Sequence, residues 1–137
     1  MKLVQYLFLL ALMFLISCTP KINQYKNGKQ HGRWITVDSQ GDSLVERYRN
    51  GIEHGLSKQF SGGDLYRTER IYGRRSKIKF YHINGKISSR GWVADDDDSK
   101  IVHWYYTGTW KYFNELGKLI EVRIYKKGLP ISEKMIY

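Results

Sequence analysis

An internal repeat constrains this chain more than any other feature of its sequence. Tyr25-Lys26-Asn27-Gly28 is followed by His31-Gly32, and the same order returns as Tyr48-Arg49-Asn50-Gly51 followed by His54-Gly55. Tyr125-Lys126-Lys127-Gly128 repeats the first element near the end of the chain. Such repetition is typical of architectures in which supersecondary units stack and each unit packs on its neighbours.

A second series of glycines indicates what one unit is. Gly41, Gly63 and Gly85 are spaced at equal intervals, and Gly117 continues the series after a longer interval. Asn and Gly tolerate the positive φ that tight hairpin turns require. One unit is therefore a hairpin that turns at this glycine, and the Asn-Gly elements turn the chain into the next hairpin.

The stretches between the turns have the alternation of strands. Ile120, Val122 and Ile124 fall on one side of a strand, and Ile78 and Phe80 share a side opposite Lys79. No stretch after the first residues keeps a helical period. The sequence predicts an all-β fold, an elongated single-layer antiparallel meander of about four stacked β-hairpin repeats.

Two units depart from the pattern. The third, near Tyr72, is shortened and has Arg74-Arg75-Ser76 where His-Gly is expected. The fourth contains an insertion from Ala94 to Lys100 with the acidic run Asp95 to Asp98 at its centre. We predict an exposed loop for this polar insertion.

The repeated units resemble a known family. Tyr-x-Asn-Gly-x-x-His-Gly-x-Trp from Tyr25 to Trp34, and Gly-Thr-Trp-Lys-Tyr-Phe from Gly108 to Phe113, are similar to the bacterial MORN-type variant repeat. The resemblance spans most of residues 25–128. It implies a curved antiparallel sheet of stacked hairpins that acts as a binding or scaffolding module. Many proteins with this repeat are labelled as antitoxins, which implies inhibition of a toxin as an alternative role.

The first residues have the parts of an export signal. A positive start at Met1-Lys2 precedes an apolar run from Leu3 to Ile16 that is short for a bilayer span. Leu15-Ile16-Ser17-Cys18 resembles the lipobox of bacterial lipoproteins, which implies that Cys18 is lipidated and becomes the new N-terminus. An ordinary secreted protein is the alternative. The predicted organisation is a signal peptide at 1–17, a lipidated N-terminus and tether at 18–24, and a repeat domain at 25–137.

Charge and export together limit the partners. The formal net charge is +10, which by itself suggests nucleic acid. Export favours instead a protein partner or an anionic envelope polymer, besides the membrane that the lipid on Cys18 would hold. Thr19 follows Cys18, and it is not the aspartate associated with inner-membrane retention. The predicted location is therefore the outer membrane of a Gram-negative bacterium.

Two groups of side chains are candidates for binding. His103, Trp104 and Tyr105 lie outside the repeat register, which favours an exposed surface. A dense basic group supplies a second candidate, with Arg74, Arg75 and Lys77 as its selected members. A solvated charged sheet face is the simpler interpretation of that group.

Other aromatic, histidine and acidic side chains are assigned to structure. Trp34 and Trp110 hold equivalent repeat positions and are expected in the core. His31 and His54 recur at what we interpret as turns, too far apart for a zinc site, and Asp95 to Asp98 lack the pattern of a calcium loop. We therefore expect neither a metal nor another cofactor.

No pattern in the sequence indicates catalysis. There is no Gly-x-Ser-x-Gly elbow, and no pair of carboxylates stands out for acid and base roles. The leading hypothesis is a membrane-anchored, non-catalytic scaffold that binds protein or envelope polymer. An immunity or antitoxin-type inhibitor is the alternative, and a glycan- or lipid-active enzyme is the third hypothesis.

Overall fold

The computed structural model describes residues 21–96 and 104–137. The predicted signal peptide, Cys18, Asp97, Asp98 and His103 lie outside the described residues. The strands are β1 (Gln24–Lys26), β2 (Lys29–Val37), β3 (Ser43–Arg49), β4 (Ile52–Glu53), β5 (Leu56–Ser61), β6 (Asp64–Tyr72), β7 (Arg75–Tyr81), β8 (Ile87–Asp95), β9 (Trp104–Phe113), β10 (Leu119–Lys126) and β11 (Leu129–Met135).

All strands belong to one open antiparallel sheet. Their order is β1-β2-β3-β5-β6-β7-β8-β9-β10-β11, and the short β4 pairs with β3 beside this path. Four hairpins, β2–β3, β5–β6, β7–β8 and β9–β10, follow one another between the edge strands β1 and β11. The predicted all-β meander of about four hairpins is confirmed.

The two series of glycines lie at opposite ends of the sheet. Gly41, Gly63, Gly85 and Gly117 close the four hairpins at one end, each with a positive φ. Tight turns at the other end link successive hairpins and the edge strands; their residues are Asn27-Gly28, Asn50-Gly51, Gly73-Arg74 and Lys127-Gly128. β8 also ends, and β9 begins, at this second end.

Hydrogen bonds show that β2–β3 and β9–β10 are equivalent. Asp38 Oδ1 accepts the N–H groups of the second and fourth residues after it, and Asn114 Oδ1 does the same in the later hairpin. Trp34 and Trp110 both lie two residues after a positive-φ glycine, Gly32 or Gly108. The equivalence of the two tryptophans, predicted from the repeat, is confirmed.

The sequence had suggested that the His-Gly elements form turns. They do not. Gly32 lies inside β2 with φ 79°, and Gly55 separates β4 from β5 with φ 81°. Each glycine therefore has a left-handed backbone in the segment that returns from the Asn-Gly turn, and not in the turn itself. His31 and His54 precede these irregularities.

The sheet also includes residues that the sequence analysis placed in the tether. Ile22 forms an isolated parallel bridge with Arg33, and Asn23 Oδ1 accepts the Ile35 N–H at 2.6 Å. The Asn23 side chain in turn donates to the Ile35 carbonyl at 2.9 Å. The chain therefore joins the sheet before the first repeated tyrosine.

The insertion begins later than predicted. Ala94 and Asp95, expected in the loop, are the last residues of β8 and pair with Tyr105 and Trp104 of β9. Strand pairing continues to Asp95 because Tyr105 and Trp104, at the start of β9, supply backbone partners. The acidic composition of the insertion gave no sign of this pairing.

The core lies under the last two hairpins. Ile78, Val93 and Trp110 are buried, and Trp110 is 0% exposed. Its Nε1–H donates to the Trp92 carbonyl at 2.9 Å. Gly91 lies directly under the indole, because a Cβ at this position would be 2.3 Å from the ring. The predicted core role is confirmed for Trp110, whereas Trp34 is only half-buried between Tyr25 and Tyr48.

Candidate functional site

The register of the strands divides the side chains between two faces with different chemistry. We call the face that carries Trp110 the inner face, since the buried core residues Ile78, Val93 and Trp110 all lie on it. The carboxylates in the body of the strands also lie on this face: Glu46, Glu53, Glu69, Asp95, Glu121 and Glu133. Arg67 and Arg123 lie among them.

The opposite face, the outer face, is basic. Its strands carry Arg33, Arg47, Lys58, Arg70, Arg75, Lys77, Lys79, Arg90, Lys111 and Lys134. All of these side chains are exposed except Lys79, which is half-buried. The alternation of each strand therefore segregates the charges of the sheet: cations predominate outside and carboxylates inside.

Several outer-face cations stand directly opposite each other on neighbouring strands. Arg33 pairs with Arg47, and Arg70 pairs with Lys77. Like charges in such positions are destabilising, because their Cβ atoms lie only about 4.5–5.5 Å apart. The positive charge of these cross-strand pairs thus does not stabilise the sheet.

No carboxylate neutralises these cations among the described residues. The ion pairs found there join Arg67 to Glu69, Arg123 to Glu121 and Glu133, and Arg74 to Asp95. Arg67, Glu69 and the partners of Arg123 belong to the inner face, and Arg74 lies in the turn before β7. The outer face of the described sheet is therefore open to an external anion.

Aromatic rings support part of the outer face. The Arg75 guanidinium lies 5.1 Å from the centre of the Trp92 ring, and the Lys77 ammonium lies 5.9 Å from it. The Arg90 guanidinium lies 5.3 Å from the Phe113 ring. Such contacts hold the cation in place while its remaining N–H donors stay available.

The sheet curves toward its inner face. Thr36 of β2 and Trp104 of β9 line the same groove of about 440 Å³. Six strand spacings separate β2 from β9, and a flat sheet would hold them about 29 Å apart. The shared groove requires the inner face to be concave, and the outer face is consequently convex.

The inner groove brings carboxylates together. Glu46, Glu53 and Glu69 line it, with Arg67 beside Glu69 and Trp104 at the rim. Burial and, to a smaller extent, the charges of Glu46 and Glu69 together raise the pKa of Glu53 to about 6, while Arg67 opposes them. Glu53 therefore changes its protonation in mildly acidic solution.

Tyr48 belongs to the same cluster. Its hydroxyl donates to Glu46 Oε2 at 3.2 Å. Burial and the neighbouring Glu46 carboxylate together raise the pKa of the Tyr48 hydroxyl to about 12. Tyr48 is thus a neutral hydrogen-bond donor to the carboxylate at every ordinary pH.

The structure distributes the two candidate binding groups over both faces of the sheet. Arg75, Lys77 and Tyr105 lie on the outer face, and Arg74 lies in the turn before β7. Trp104 lies on the inner face, 52% exposed, with the Arg67 guanidinium 5.9 Å from its ring. Trp104 and Tyr105 are adjacent strand residues and therefore point to opposite sides.

Most of the basic face was not predicted from the sequence. The exposed cations of this face that the predicted group did not include are, among others, Arg33, Arg47, Lys58, Arg90 and Lys111. The available signal was the alternation of cations within the strands, as in Lys77-Ile78-Lys79. Only the register between strands shows that these separate positions share one surface.

Within residues 21–96 and 104–137, no three or more His, Cys, Asp or Glu side chains are arranged so that they could hold a metal ion, the carboxylates of the inner groove included. Within the same ranges no helix is long and apolar enough to cross a membrane.

Comparison of the chain with protein-family models, with curated proteins and with solved structures finds no match. The resemblance to the MORN-type variant repeat therefore stays a prediction, and a function must be argued from the two faces of the sheet.

Proposed function

We propose that this chain is a membrane-anchored, non-catalytic binding module whose outer face holds an anionic polymer of the cell envelope. The observation that carries the proposal is the segregation of charge: the outer face is lined with cations, and the strand carboxylates lie on the inner face. The signal and lipobox-like residues ending at Cys18 supply the anchor.

The energetics of the sheet support this role. Like charges placed directly opposite each other, such as Arg33 and Arg47, destabilise a sheet. A bound polyanion would remove this repulsion and release its own counterions, so that binding would be favourable and dependent on salt. These cations therefore serve binding better than they serve folding.

The test is binding of the full chain, in a neutral detergent, to dextran sulfate and to uncharged dextran. We expect binding to dextran sulfate only, and a dissociation constant that rises steeply with salt concentration. A variant with Arg75→Gln, Lys77→Gln and Arg90→Gln should bind more weakly. Its matched control carries Lys86→Gln, Lys118→Gln and Lys127→Gln in the turns. Equal affinity for the two dextrans would refute the proposal.

The anchor is tested separately in living cells. We expect labelled palmitate to be incorporated into the chain, and Cys18→Ser to abolish labelling and release the protein from membranes. Fractionation should place the lipidated form in the outer membrane. Recovery solely in the inner membrane would contradict the predicted location, and labelling of Cys18→Ser would contradict the predicted lipidation site.

A further inference from the structure

We infer that the outer face binds a linear polyanion that runs across the strands, along one row of side chains. The inference rests on the proposed function and deepens it, because it names the form of the ligand and its path. We call this set the cation row: Lys58, Thr68, Lys79, Arg90, Lys111, Val122 and Lys134.

The strand register aligns the row without interruption. Lys58 is opposite Thr68, which is opposite Lys79. Lys79 is opposite Arg90, and Arg90 is opposite Lys111. Val122 then links Lys111 to Lys134 on the last strand. The row therefore crosses β5 to β11 at one level of the sheet.

The spacing of the row fits a chain of regularly repeated charges. Neighbouring strands lie about 4.8 Å apart, so the row is about 29 Å long. Lys79, Arg90 and Lys111 occupy consecutive strands at its centre, so three cations stand side by side there. Arg90 is also supported by the Phe113 ring, which limits the entropy that its side chain loses on binding.

One interior position of the row holds a buried, uncharged side chain. Thr68, between Lys58 and Lys79, is 8% exposed, and its hydroxyl lies 3.2 Å from the Tyr81 hydroxyl. A buried threonine here leaves a shallow position between two cations instead of a competing charge. The polymer backbone would pass over this position.

The curvature of the sheet favours a linear polymer over a flat surface. The outer face is convex, so a plane would touch only a few strands at once. A flexible chain can follow the curve and contact cations on β5, β7, β8, β9 and β11 together. Each such contact adds to affinity through counterion release.

The experiment measures binding of the full chain to linear polyphosphates of defined length. Affinity per polymer chain should rise with length until the polymer spans about 29 Å, and then level off. The row variant carries Lys79→Gln, Arg90→Gln and Lys111→Gln. Its matched control, with the same change in net charge, carries Arg33→Gln, Arg47→Gln and Arg70→Gln on the same face.

The row variant should bind the longest polyphosphate at least about tenfold more weakly. In a plot of log affinity against log salt concentration, the magnitude of its slope should fall by about 2, which is about 0.7 for each of the three lost contacts. The control should lose clearly less. Far-ultraviolet circular dichroism establishes that both variants keep the sheet.

The outcomes separate this inference from the proposed function. Equal weakening of both variants would overturn the row and leave a general anion-binding face. No salt-dependent binding by the unaltered chain would overturn both. Tighter binding to anionic phospholipid vesicles than to the longest polyphosphate, at equal phosphate concentration, would overturn the linear ligand in favour of a membrane surface.

Discussion

Glu53 shows how the curvature of the sheet changes the chemistry of one side chain. It lies opposite Tyr48 on the inner face, in the groove that also contains Glu46 and Glu69. Burial and, to a smaller extent, the two neighbouring carboxylates raise its pKa from 4.5 to about 6. In the folded chain Glu53 therefore holds its proton more tightly than in the unfolded chain.

The sign of the effect on stability follows from this difference. Between pH 4.5 and pH 6 the folded state binds more protons than the unfolded state, so stability falls as the pH rises through this range. Above about pH 6 the charged Glu53 is a net cost to the fold. We expect Glu53→Gln to raise the Tm at pH 7.5 and to have little effect at pH 4.5.

Thermal unfolding followed at several pH values tests this prediction. Glu115→Gln is the matched control, because Glu115 is exposed in a turn. An increase in Tm of the same size at both pH values would mean that the Glu53 charge is not the cause.

At the scale of elements, equivalent hairpins differ in how much they bury. β2–β3 lies next to the edge strand β1, and its Trp34 is half-buried. β9–β10 packs beside β8, where Gly91 lets the Trp110 ring lie against the backbone. The same residue in the same repeat position therefore contributes differently to stability, as expected when each unit depends on its neighbours.

Replacing the two tryptophans in turn measures this difference. Trp110→Phe leaves a cavity at a fully buried site and removes the hydrogen bond to the Trp92 carbonyl. We expect a loss of about 2–4 kcal/mol in the free energy of unfolding, within the range for large-to-small changes in a core. Trp34→Phe should cost clearly less. Urea unfolding provides both values, and equal losses would contradict the gradient of burial.

Most features of the elements were predictable because they are local. The repeated Asn-Gly pairs and the glycine series located the turns, since a positive φ is a property of one or two residues. The role of His31-Gly32 was not predictable, because a glycine inside the returning strand and a glycine in a turn can both adopt a positive φ. The acidic run concealed the end of β8 for a different reason: its pairing depends on Tyr105 and Trp104 in the next strand.

At the scale of the whole molecule, the two faces could not be predicted. Alternation within β10 separates Val122 and Ile124 from Glu121 and Arg123, but it does not say which side is covered. The structure buries Glu121 on the inner face and leaves Ile124 39% exposed on the outer face. Register and curvature decide this outcome, and both depend on pairs of strands.

The segregation of charge also predicts how stability responds to salt. Screening reduces the repulsion between cross-strand pairs such as Arg33 and Arg47, since the Debye length is about 10 Å at 0.1 M salt. We expect the Tm to rise by a few degrees between about 20 and 300 mM sodium chloride, as relief of about 1 kcal/mol would produce.

A charge reversal provides the control for this measurement. Arg33→Glu turns the like pair with Arg47 into an opposite pair, so it should raise the Tm at low salt and reduce the dependence on salt. A Tm of the unaltered chain that falls on addition of salt would show that favourable ion pairs outweigh the repulsion.

The order of the strands has a consequence for how the molecule is made. Each strand pairs only with strands close to it in the chain, so no pairing has to wait for a distant segment. Topologies dominated by such local contacts form quickly, and they leave fewer unpaired edges exposed on the way. A chain that emerges N-terminus first can therefore complete each hairpin as soon as the second strand of that hairpin appears. The edge strand of the growing sheet is then β3, β6, β8 and β10 in turn, and each of them pairs with the next strand to emerge.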